Sequence, residues 1–150
     1  PEPSRDYILP LGKGRTVLEA SDDSLRNGES VCVITYGMGV YWALTAAANY
    51  PGQVEIIDLR TLFPLDEDLV YSTVKKHGRC LVLTEEQQNN SFAEALAGRI
   101  ASNCFQWLDA PVKVLGSLNL PAVPLNMGLE KVMLPGPEST AEALREVLQY

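Results

Sequence analysis

Apolar residues in this chain gather into short runs separated by amphipathic stretches. Val31–Tyr36 (VCVITY) is apolar, rich in β-branched residues, and ends at Gly37, as expected of a strand buried on both faces. Gly39–Tyr50 is Ala-rich and predicts a helix, stopped by Pro51 and Gly52. Val54–Leu59 (VEIIDL) predicts a second buried strand. Pro64 and Asp66 then open a helix through His77, which Gly78 closes as a left-handed cap. Arg79–Thr84 predicts a third strand. Ser91 and Glu94 have capping-box spacing: the hydroxyl accepts from the backbone three residues on, and the carboxylate reaches back. They begin a helix running to about Asn103. Val112–Gly116 predicts a further core strand, and Ser139–Glu142 a second capping box opening a final helix to Tyr150. Ahead of this series, residues 1–29 are polar and turn-rich, with a short strand at Arg15–Glu19 and a loop over Ser21–Glu29.

Buried strands alternating with helices demand a mainly parallel sheet covered on both faces, because right-handed crossovers place the helices there. The expected organisation is one α/β domain over residues 30–150, with residues 1–29 as a leading segment of the same domain. One stretch resists this pattern. Ser117–Gly136 carries Pro121, Pro124 and Pro135 together with Leu118, Leu120, Val123, Leu125, Met127 and Leu129. Phe105 and Trp107 add two large aromatics in a polar context. Two outlets exist for so much apolar surface: burial against another chain or domain, or a loop folded back on its own core.

Length and charge narrow the function classes. A chain of 150 residues, 46% hydrophobic, buries roughly 70% of its unfolded surface and needs neither disulfides nor a metal for a core. Twelve basic residues against 19 acidic ones leave a net charge of -7. This opposes a nucleic-acid partner, since a phosphate backbone requires a basic stripe. No apolar run approaches the roughly 18 residues of a membrane span. Cys32, Cys80 and Cys104 are an odd number without close spacing, the pattern of buried thiols in a reducing cytosol. No zinc-ligand spacing is present. The chain begins Pro1-Glu2-Pro3, without an initiator Met, as a piece of something longer would.

Local motifs offer little self-contained chemistry. Gly37-Met38-Gly39 at a strand-to-helix turn, followed by Asp58 at the end of the next strand, imitates a dinucleotide-binding fingerprint. Trp42 stands where the third glycine should be, so a tight turn is the simpler reading. Glu85 and Glu86 end a strand, where an acid–base pair could work, but adjacent residues in an extended segment point apart and a solvated polar loop suits them better. Asp58 and Arg60 suggest an ion pair anchoring the turn before Pro64. The single histidine, His77, sits where a cation meets the carboxyl end of a helix dipole.

Several segments together carry a resemblance: ILPLGKGR (Ile8–Arg15), VCVITYGMGVYWAL (Val31–Leu44), VEIIDLRTLFPLDED (Val54–Asp68), VKKHGRCLVLTEE (Val74–Glu86), FAEALAGRI (Phe92–Ile100) and LDAPV (Leu108–Val112). From Tyr7 to Tyr150 the chain resembles the C-terminal transketolase-like domain of the β subunit, or β half of a fused chain, of 2-oxoacid dehydrogenase decarboxylating components. The 2-oxoisovalerate (branched-chain) type is resembled most, with pyruvate and acetoin types as rivals. The resemblance implies a three-layer α/β/α sandwich on a five-stranded, mostly parallel sheet, with Arg15–Glu19 antiparallel at the edge beside Val54–Leu59. It implies thiamine diphosphate and Mg²⁺ in the parent enzyme, held by domains outside this chain, and no catalytic or cofactor-binding residues within it. It further implies contact with other domains or subunits, a homodimer interface, and docking of the acyltransferase's basic subunit-binding domain. Asp109 of the LDAP segment and Tyr150, with its carboxylate, match the docking positions.

Overall fold

Side-chain alternation decides the architecture strand by strand. In the computed structural model, which describes residues 4–150, β2 (Val31–Thr35) is buried along its whole length. Val31 and Val33 face one hydrophobic layer while Cys32 and Ile34 face another. Strands β3 (Val54–Asp58) and β4 (Cys80–Gln87) alternate in the same way. On one face of the sheet pack α3 (Glu67–His77) and α4 (Phe92–Cys104), through Val70, Val74, Leu96 and Ile100. On the other pack α2 (Met38–Ala47) and α6 (Pro137–Leu148), through Ala43, Ala46, Leu144 and Val147. Each fully buried Val, Leu or Ile contributes about 1.5–3 kcal/mol, so two apolar layers on one sheet hold the sandwich without cross-links.

With β1 (Arg15–Leu18) and β5 (Lys113–Ser117) at its edges, the sheet runs β1-β3-β2-β4-β5, β1 antiparallel to β3 and every other pairing parallel. The edge strand therefore lies where the resemblance places it, Arg15 opposite Asp58. At the other edge, β5 (Lys113–Ser117) pairs β4. Pro1–Pro3 lie outside the described residues.

Several boundaries differ from the sequence reading, each for a local reason. Ser21–Glu29 is not a loop throughout: α1 (Asp22–Arg26) forms because Ser21 Oγ accepts from the Ser24 N–H at 3.2 Å and two aspartates occupy the first turn. Helix α2 ends at Ala47 rather than Tyr50, where the N–H groups of Asn49 and Tyr50 turn to Ala46 and Ala47 in a tighter wind. Strand β4 continues past Thr84 through Gln87 because β5 supplies pairing to the polar tail, Gln87 opposite Ser117. Gly116 permits that approach: a Cβ there would lie 2.8 Å from the Glu86 carbonyl oxygen.

The caps show the same mixture. Ser91 Oγ accepts from the Glu94 N–H at 3.0 Å, but the Glu94 carboxylate accepts from Asn90, one residue before the cap. Helix α6 starts at Pro137, not Ser139. Proline at the first helical position needs no N–H partner, and Ser139 Oγ accepts from Gly136 N–H at 2.9 Å while Glu142 pairs with Arg145 inside the helix. The irregular stretch contains a further helix, α5 (Met127–Met133), capped by Asn126 Oδ1.

Candidate docking site

Asp109 and Tyr150 line one groove of about 800 Å³. Its floor is α4, where Ala97, Gly98 and Ala101 keep the helix surface low. Its wall is the segment following α4. Cys104 is fully buried and ends the helix; Phe105–Trp107 form one 3₁₀ turn, closed by Leu108 N–H donating to the Phe105 carbonyl at 3.3 Å. Leu108, Val112 and Val114 pack partly on the core and partly into the groove.

The Asp109 loop is tied to the end of α3. Asp109 N–H donates to the Gly78 carbonyl at 2.8 Å. Gly78 takes φ 68°, the left-handed cap expected there, and a Cβ on it would meet Asp109 Oδ2 at 2.3 Å and the Trp107 carbonyl at 3.1 Å. Lys75 Nζ sits 4.4 Å from the centre of the Trp107 ring and pins the turn from the last turn of α3. Asp109 itself is exposed. Among the described residues, the groove's lining holds two acidic side chains, Glu94 and Asp109, and no Lys or Arg. The arrangement is a shallow apolar seat with a negative rim.

Other residues singled out from the sequence have structural work elsewhere. Gly37 caps α2 at φ 59°. Gly39 lets α2 close on β2: a Cβ there would lie 2.0 Å from Thr35 Oγ1, a buried hydroxyl donating to the Leu83 carbonyl at 2.9 Å. The parallel register sets Thr35 opposite Asp58. Asp58 Oδ1 nonetheless accepts from the Arg60 backbone at 3.1 Å, while the Arg60 guanidinium turns to the Tyr7 hydroxyl and ring. The expected Asp58–Arg60 ion pair is thus a side chain-to-backbone bond, because Arg60 adopts φ 59° and swings away. Glu86 caps α4 through the Phe92 N–H, and Glu85 is exposed; the two do not converge on an acid–base site. All three cysteines are buried free thiols.

His77 departs furthest from its reading. It does end α3, as expected, but it is buried there, with Nδ1 2.8 Å from Ser30 Oγ and Nε2 3.1 Å from Glu55 Oε2. Lys76 Nζ donates to the same carboxylate oxygen at 2.6 Å. Burial raises the Glu55 pKa, but the hydrogen bonds from His77 and Lys76 outweigh it and hold the carboxyl below the ordinary range. The alternation of β3 carried the signal: Glu55 occupies a position facing α3, where a lone carboxylate needs a partner.

The long proline-containing stretch leaves much of its apolar surface uncovered. Val123, Leu125, Met127, Leu129 and Val132 are all more than half exposed, Leu125 fully so. Of the two outlets open to the sequence, folding back on the core is not the one taken by these side chains.

The layers, the strand order and the antiparallel edge define a three-layer α/β/α fold. The family model for the transketolase C-terminal domain matches residues 23–140, and the chain belongs to that family. The β subunit of 2-oxoisovalerate dehydrogenase from Bacillus subtilis is 34% identical over 151 residues, covering 99% of this chain and 44% of that protein. The pyruvate dehydrogenase E1 component subunit beta of Rhizobium meliloti is 34% identical, covering 95% of this chain and 30% of its own length. The β subunit of an acetoin:2,6-dichlorophenolindophenol oxidoreductase from Cupriavidus necator is 32% identical, covering 98% and 42%. A solved structure titled split gene transketolase, inactive beta4 tetramer, superimposes with a TM-score of 0.74 at 19% identity, covering 99% of this chain and 46% of that one. The chain spans less than half the length of these relatives.

Proposed function

We propose that this domain is the assembly and partner-docking end of a 2-oxoacid dehydrogenase of the 2-oxoisovalerate type, and that its groove seats the subunit-binding domain of the acyltransferase. The observation that carries this reading is the convergence of Asp109 and Tyr150, distant in sequence, on one apolar groove whose lining holds carboxylates and no cation. A basic partner module meets such a rim favourably, and a net charge of -7 speeds the encounter. The exposed apolar residues between Leu118 and Val132 serve contacts with other subunits, a second copy included. Three free buried thiols suit a cytoplasmic setting, and none of the described helices is long and apolar enough to cross a membrane.

Thiamine diphosphate and Mg²⁺ belong, in this proposal, to the remainder of the parent enzyme. Among the described residues no group of three or more His, Cys, Asp or Glu side chains is placed to hold a metal. The proposal assigns no chemical step to this chain. Its own contribution is to present a fixed loop: Gly78 holds Asp109, and α4 supplies the floor.

Calorimetry of the full-length assembled protein with the acyltransferase's subunit-binding domain tests the docking. Binding at low salt is expected, with Asp109→Asn weakening it about tenfold or more and flattening its salt dependence. Absence of binding by the wild-type assembly overturns the reading. The substrate type is checked by comparing kcat/KM for 3-methyl-2-oxobutanoate and pyruvate, the former being expected to be higher.

A further inference from the structure

We infer that Phe105 is a preorganised aromatic anchor for the docked partner, so that recognition at this face has an apolar centre beside the acidic rim. The inference rests on the docking reading and extends it to the partner's chemistry. Phe105 is 78% exposed, an unfavourable setting for a phenylalanine in free solvent. It lines the docking groove and also a second hollow of about 710 Å³, bordered by Ala101, Asn103 and Trp107. Phe105 and Ala101 border both recesses, so a partner seated on this face meets the exposed Phe105 side chain from either one.

The backbone beneath the ring is fixed before any partner arrives. Phe105 caps α4 with φ -45° and ψ -45° and follows the fully buried Cys104. Its carbonyl accepts from Leu108, while Trp107 is held by Lys75. The backbone of such a turn loses little freedom on binding, so the cost of docking falls mainly on the rotamer of the ring itself. Asp109 follows four residues later on the same groove wall. The fitting partner surface carries a Lys or Arg directed at Asp109 and aliphatic side chains, or the alkyl stem of that cation, laid across Phe105. The acid governs approach and salt dependence, and the ring governs residence time.

The test measures association and dissociation rates of the basic subunit-binding domain on the full-length assembly at two salt concentrations, for wild type, Phe105→Ala, Phe105→Tyr and Asp109→Asn. The expected result is dissociation about tenfold or more faster for Phe105→Ala, by a factor that does not change with salt. Phe105→Tyr should restore binding to within about threefold, because the ring survives. If the wild type binds, Asp109→Asn weakens it and Phe105→Ala behaves as wild type, the anchor is overturned and the docking reading stands. If the wild type does not bind, the docking reading itself fails. A change in sedimentation state for Phe105→Ala without a change in partner dissociation also overturns the anchor, by making the ring part of a contact between copies.

Discussion

Replacing Glu55 isolates the buried polar cluster beneath α3. Its carboxylate receives two hydrogen bonds, from Lys76 at 2.6 Å and His77 at 3.1 Å, while the side chain is 6% exposed. Glu55→Gln keeps shape and hydrogen-bonding capacity but removes the charge. A charge-assisted bond contributes about 1.5–3 kcal/mol and a neutral one about 0.5–1.5. Two such exchanges amount to about 2 kcal/mol, and the partial exposure of Lys76 lowers this toward 1. Glu55→Leu is harsher, since it leaves His77 Nε2 buried without a partner and should cost about 3 kcal/mol.

Urea denaturation at low protein concentration reads these differences, and a melt should fall by about 2–4 °C per kcal/mol. The pH dependence gives a sharper check. Glu55 is held below its unfolded value of about 4.3. Its stabilisation is therefore complete above that pH and is lost as pH falls through the folded value. The gap between wild type and Glu55→Gln should be constant near neutrality and close on acidification. A gap that persists unchanged to pH 3, or a Glu55→Leu protein as stable as wild type, refutes the reasoning.

Two further outcomes are expected. Gly39→Ala should destabilise by about 1–3 kcal/mol, because its methyl group collides with Thr35 Oγ1; adding Thr35→Ala should recover part of the loss, and strict additivity in the double-mutant cycle would argue against that contact. Cys32, Cys80 and Cys104 are fully buried, and burial raises the pKa of the Cys32 and Cys104 thiols. All three should resist a thiol reagent in the native protein and react once guanidinium is added; rapid native labelling of any of them, followed by mass spectrometry, would contradict their placement.

The strands were legible because burial on both faces writes itself as unbroken apolar runs, as in Val31–Thr35 and Cys80–Leu83. Helix α3 was legible because Asp66, the cationic last turn and Gly78 each obey a local rule. What escaped depends on partners far away in the chain. Glu85–Gln87 has loop composition, yet becomes strand because Ser117 pairs with Gln87. His77 at a helix end suggests only a dipole contact, and its buried bond to Glu55 appears once β3 is placed against α3. At the candidate site, Asp109 and Tyr150 came from resemblance, whereas the floor of Ala97, Gly98 and Ala101 could have been found as small residues clustered on one helical face. Phe105 was visible as an aromatic in a polar context, but only the fold sets it between two recesses.

The bare aliphatic ridge from Val123 to Val132 has a practical corollary for handling. With that ridge open to solvent the polypeptide will be colloidally marginal: its surplus negative charge sets up repulsion between copies, and salt weakens repulsion while strengthening apolar adhesion. Purification in dilute buffer above pH 7 should yield dispersed material, and raising ionic strength should bring on clustering well before any loss of secondary structure.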